Sequence, residues 1–146
     1  MIFFAKYFFI IIFPLCICYI FFKKNKRIVY LSFISAISIL FINKFIEFFW
    51  LRPRPFIMDS VNLLVKHKLD GSFPSDHASV SMAIAVMLFF VNKKIGTILI
   101  ISSLFIGISR IFCGLHYPLD IFVGLFLGWL VSLIIYKISK KFIYEK

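Results

Sequence analysis

Long apolar runs, broken by short basic clusters, limit this chain to one kind of fold. Five such runs stand out, at about residues 1–22, 28–51, 78–91, 95–113 and 119–136. Most approach the roughly 20 residues that a helix needs to cross a hydrocarbon core. A soluble domain of 146 residues could not hide a composition that is 62% hydrophobic and includes 21 phenylalanines. The expected fold class is therefore all-α, a polytopic membrane helix bundle of about five spans forming a single domain over residues 1–146. The third run is short, as expected of a helix that begins within the headgroup layer.

The net charge of +11 follows the same pattern. Residues 23–27, residues 92–94 and the tail lysines Lys137, Lys140, Lys141 and Lys146 hold ten of the 17 basic residues. Their position between apolar runs marks orientation in a bilayer rather than a nucleic-acid surface. With all three clusters cytoplasmic, the N-terminus lies outside and the C-terminus inside. The connections 52–77 and 114–118 then share the extracytoplasmic face. The first run carries only Lys6 and lacks a small-residue cleavage pattern, so it is expected to remain as a span.

Cys16, Cys18 and Cys113 suggest neither a disulfide framework nor a metal site. Gly124 and Gly128, with Gly107, fit close helix packing. Trp50, Tyr117, Tyr136 and Tyr144 are expected to anchor at interfaces, and His67 to be solvated.

Three clusters converge on the extracytoplasmic face: Arg52–Phe56, Pro74–His77 and Ser109–Asp120. Arg54 and Arg110 offer forked donors suited to phosphate oxygens. Ser75 and the amides after it open a helix, which is an anion site. Of His77 and His116, one can act as nucleophile and the other as acid. Asp120 lies four residues after His116, with Pro118 at a helix start, and can hold the imidazole. Together these groups specify phosphoryl transfer through a phosphohistidine with no cofactor and no metal. Each residue alone has a plainer role: helix cap for Ser75, interfacial anchor for Arg52 and Arg54, first-turn acid for Asp120. Their convergence favours the chemistry.

At these residues the chain resembles the type-2 phosphatidic acid phosphatase superfamily, whose signatures are K-x6-R-P, P-S-G-H and S-R-x5-H-x3-D. Ser109-Arg110, His116 and Asp120 match the third in full. Pro74-Ser75-Asp76-His77 match the second with Asp for Gly, and Arg54-Pro55 match the first with Glu47 at the lysine position. Asp76 and the R-P-R-P-F run are similar to the bacitracin-resistance type of undecaprenyl-diphosphatase, over about residues 43–129. Relatives of that type have six spans, so the chain looks one N-terminal helix short.

The resemblance implies His116 as nucleophile, Asp120 as its orienting group, and His77 as the acid that later activates water. It implies a phosphate held by Arg54, Ser75 and Arg110, with the Asp76 amide, Arg52 and Lys44 as further candidates. Lys44 either serves the site or is neutralised by Glu47. Asp76 either faces away, pairs with a base such as Arg52, or tunes His77. The implied activity is hydrolysis of undecaprenyl diphosphate, which recycles a cell-wall carrier lipid in a bacterial plasma membrane and gives bacitracin resistance. The implied partners are that polyprenyl lipid and the bilayer. A phosphatidic acid or phosphatidylglycerol phosphate phosphatase is the alternative, and a small transporter is the alternative outside enzymes.

Overall fold

The computed structural model describes residues 1–3, 7, 9–22, 26–58 and 70–144, and the regular structure among them is helical. The helices are α1 (Phe9–Phe22), α2 (Lys26–Phe49), the single turn α3 (Pro55–Met58), α4 (Asp76–Phe89), α5 (Lys93–Phe112) and α6 (Pro118–Tyr144). Among the described residues three helices are long and apolar enough to cross a membrane: α2, α5 and the Pro118–Lys140 part of α6. The other two apolar runs form α1, which contains Pro14, and α4, each of 14 residues. His67 and the tail lysine Lys146 lie outside the described residues.

The third run has a structural reason to be apolar on every face. Helix α4 is the centre of the bundle, packed by α6, α5 and α2, and every residue from Ser81 to Leu88 is buried. A helix that is apolar all round suits an interior surrounded by protein. Ala78, Ala83 and Ala85, fully buried, let the neighbouring backbones come close. By contrast, α2 turns Phe41 and Phe48 outward, 73% and 82% exposed, as a hydrocarbon-facing surface requires.

The pair Gly124 and Gly128 sets the approach of α6 to α4. A Cβ on Gly124 would come within 2.9 Å of the Ser75 carbonyl oxygen, and one on Gly128 within 2.2 Å of that of Ser79. Ser132 Oγ adds a hydrogen bond to the Ala83 carbonyl, 2.8 Å. Gly128→Ala is therefore expected to cost about 1–3 kcal/mol of stability by overpacking, readable as a lower thermal midpoint in detergent. An unchanged midpoint would mean that α6 can shift away freely.

Helices α2 and α5 run towards one end of the bundle, where α4 and α6 begin. Arg27 Nη2 donates to the Ser139 carbonyl at 2.6 Å, joining the start of α2 to the end of α6 at the opposite end. Lys93 and Lys94 lie there too, since the 20 residues of α5 rise about 30 Å. The described basic clusters thus share one end and the three motif clusters the other. Two of the expected interfacial aromatics also pack on the protein: Tyr136 stacks on Phe90 at 3.7 Å between centroids, and Tyr117 lies under the Arg52 guanidinium at 4.1 Å. Trp50 is largely exposed beside Phe73. The Tyr144 side chain lies outside those described.

Candidate active site

His116 is aimed by the way α5 ends. Gly114 has φ 72°, its N–H donates to the Ile111 carbonyl, and the Leu115 N–H reaches back to that of Arg110. This pair of bonds around a left-handed residue is a Schellman stop, for which glycine pays no Cβ penalty. Leu115 is buried beside Cys113 and Phe56, so the turn carries His116 inward rather than into solvent. Pro118 then starts α6, and Asp120, three positions after Tyr117, accepts the Tyr117 N–H through Oδ2 at 2.8 Å. That is the reciprocal half of a capping box.

The imidazole of His116 is 4% exposed. Its Nδ1 lies 2.8 Å from the Ser72 carbonyl oxygen, an acceptor only, so Nδ1 carries the proton and donates. Nε2 is left with its lone pair, 3.2 Å from Arg54 Nη1. Burial lowers the His116 pKa from 6.5 to about 4; Asp120 opposes the shift, Arg110 and Arg54 add to it, and the Ser72 carbonyl opposes it. The ring is therefore neutral at physiological pH.

Because the folded pKa lies below the unfolded one, this group's stability contribution is present above pH 6.5 and is lost as the pH falls towards 4. An NMR titration of the substrate-free protein is expected to show the Nδ1–H tautomer persisting to about pH 5. Titration near 6.5 would contradict this description of the site.

Two groups meet that ring: the Ser72 carbonyl takes the Nδ1 hydrogen bond, and Asp120 Oδ2 stands 3.8 Å from the same nitrogen. Asp120 is fully buried and is committed to the Tyr117 N–H and to Arg52 Nη1, 2.9 Å from Oδ1. It acts on the ring by its charge and by fixing the start of α6. Arg52 is correspondingly not a lining residue of the cavity: one nitrogen is spent on Asp120 and its face lies on Tyr117. Nor is it the partner of Asp76.

The remaining motif groups surround a cavity of about 170 Å³ at the ends of the helices. His116, His77, Arg54 and Arg110 all line it, with Lys44, Glu47, Asp70 and Asp76. Arg54 is almost fully buried and held by three contacts: Nε to Asp70 Oδ1 at 2.9 Å, Nη1 to the Leu115 carbonyl at 2.9 Å, and Nη1 to His116. Ser75 is not among the residues that line the cavity, and it does not cap α4 with its side chain. Its Oγ is buried and makes no hydrogen bond among the described residues, a hydroxyl kept available at the cost of an unsatisfied group. Among the described residues no three His, Cys, Asp or Glu side chains are grouped to hold a metal ion. A larger groove of about 420 Å³ between α1, α2 and α4 is lined by apolar side chains and Cys18, and has no group able to handle phosphate.

Lys44 is placed both against Glu47 and in the cavity wall. Its Nζ pairs with Glu47 Oε2 at 2.6 Å, and the side chain also lines the cavity. Asp76 turns towards α2, where buried Asn43 Nδ2 donates to its Oδ1 at 2.8 Å and to Ser79 Oγ at 2.7 Å.

Some contributors escaped the sequence. Ser72 acts through its backbone, which leaves no residue signature. Asp70 and Gly71 sit in a polar loop whose only cue was an acid and a glycine placed shortly before the P-S-D-H run.

A family model for the PAP2 superfamily matches residues 27–144, and the chain belongs to that superfamily. Relatives and solved structures agree. The chain is 37% identical over 117 residues to the undecaprenyl-diphosphatase BcrC of Bacillus subtilis, covering 80% of this chain and 60% of that protein. It therefore spans about 60% of the length of the curated relatives it matches. Its fold is similar to the crystal structure of Aquifex aeolicus LpxE, with a TM-score of 0.72 at 31% identity over 89% of this chain and 84% of that one. It is also similar in fold to a transmembrane PAP2-type phosphatidylglycerolphosphate phosphatase from Bacillus subtilis, with a TM-score of 0.75 at 23% identity, covering 94% and 72% of the two chains.

Proposed function

We propose that this protein hydrolyses a polyprenyl diphosphate, undecaprenyl diphosphate, to the monophosphate and inorganic phosphate. The observation that carries the reading is the His116 ring: buried, neutral, proton fixed on Nδ1, Nε2 beside the Arg54 guanidinium, and in the wall of a cavity that Arg54, Arg110 and His77 share. Nε2 attacks the terminal phosphorus and forms a P–N bond while the bridging P–O bond breaks. His77 gives its proton to the leaving oxygen, then takes one from the water that cleaves the phosphohistidine. Arg54 and Arg110 hold the equatorial oxygens, and the unused Ser75 hydroxyl supplies a further donor.

The lipid keeps its tail in the bilayer, and a cavity at helix ends receives the headgroup without extracting the chain. With the basic end cytoplasmic, phosphate is released outside the cell, in the plasma membrane of a bacterium. Such an activity competes with bacitracin, which sequesters the same diphosphate lipid. The likeness to an undecaprenyl-diphosphatase supports this substrate.

The test is phosphate release by the purified protein in detergent with EDTA, supplied with undecaprenyl diphosphate, phosphatidic acid or phosphatidylglycerol phosphate. Preferred hydrolysis of the diphosphate is expected. A preference for either glycerolipid would replace the substrate assignment, and no release from any lipid by folded protein would overturn the reading.

A further inference from the structure

The superfamily signature puts a lysine at position 47, where this chain has Glu47. From the contacts around that carboxylate we infer that Lys44 is the residue that selects a diphosphate, by binding the leaving, lipid-side phosphate; the inference rests on the hydrolase reading above.

Lys44 lies one helical turn before Glu47 on the same face of α2. Two carboxylates converge on its Nζ, and each is itself anchored. Glu47 Oε2 is 2.6 Å away, while Oε1 accepts the Gly71 N–H at 2.9 Å. A Cβ on Gly71 would come within 2.7 Å of that Oε1, so the loop is shaped around the carboxylate. Asp76 Oδ2 is 3.8 Å from Nζ, and its Oδ1 is held by Asn43. An ion pair that only neutralised itself on a helix surface would need neither anchor. Here the pair fixes where the ammonium stands.

That place is a junction. Lys44 lines the polar cavity together with His116, and it also lines an apolar groove of about 250 Å³ with Ile37, Leu40 and Phe41. A lipid with its terminal phosphate at His116 and its chain along that groove has its chain-linked phosphate beside Lys44. As the bridging P–O bond breaks, the electron pair passes to an oxygen of that phosphate. His77 supplies its proton and Lys44 offsets the charge gathering there. A lipid monophosphate has carbon at this point and offers Lys44 nothing to hold. Glu47 and Asp76 are positioning residues: they keep the cation at the junction while the groove is empty.

The test compares wild type with Lys44→Met/Glu47→Gln, which removes the cation without leaving its carboxylate bare and keeps an unbranched stem over the groove. Two competitive inhibitors are measured: orthophosphate, and a prenyl bisphosphonate with a methylene in place of the bridging oxygen. The bisphosphonate is expected to bind at least about tenfold more weakly to the variant, with orthophosphate unchanged and kcat/KM on the diphosphate falling in step. Lys44→Arg should retain most of the wild-type preference. Equal weakening of both inhibitors, or of neither, overturns the role of Lys44. Wild-type protein that releases no phosphate from the diphosphate overturns the hydrolase reading itself, which is a separate result.

Discussion

Replacing His116 by alanine is expected to lower phosphate release from undecaprenyl diphosphate by about 10⁴-fold or more. No other described group combines the required properties. The ring is buried and neutral, its tautomer is set by a backbone carbonyl, and it lines the polar cavity with Nε2 next to Arg54. His77 lines the same cavity but is only partly buried. Removing a nucleophile takes away a covalent step, and the arginines that remain can bind phosphate without transferring it. Orthophosphate should therefore still inhibit or protect the variant. Activity within tenfold of wild type would remove His116 from the chemistry.

Arg54→Ala is expected to cost about 10²–10³-fold in kcat/KM. The guanidinium spans Asp70, the Leu115 carbonyl and His116 Nε2. In the proposed mechanism its removal takes a donor from the phosphate, and it leaves a buried carbonyl without its partner. Arg54→Lys should recover little, because an ammonium cannot make these contacts in their planar geometry. One further readout separates a direct electrostatic role from mere loss of structure. Arg54 is among the charges that lower the His116 pKa, so the ring should titrate at higher pH in Arg54→Ala. A lowered activity with an unmoved His116 titration would assign the loss to packing.

The architecture was legible because a chain this apolar has few alternatives, and because the basic clusters divide it into alternating segments. The Ser109–Asp120 cluster was also legible, since its spacing contains its own geometry: a helix end, a glycine stop, and a proline that starts the next helix. What the sequence could not convey is who holds whom. The i,i+4 spacing suggested Asp120 against His116, yet the capping position draws that carboxylate to the Tyr117 N–H and leaves the Ser72 carbonyl to take the ring proton. Arg52 and Arg54 look interchangeable in R-P-R-P-F. Only Arg54 lines the cavity, and Arg52 is drawn off by Asp120. Such choices depend on long-range contacts, and residue type does not encode them.

The central claim is that the phosphate passes through His116. It is tested most directly by mixing the protein with undecaprenyl diphosphate labelled in its terminal phosphate and quenching within the first turnover. The account predicts one labelled site, His116, whose bond survives alkali and breaks in acid and which is discharged by water as unlabelled lipid monophosphate accumulates. Rapid phosphate release with no labelled protein, or a label that persists in His116→Ala, would contradict it.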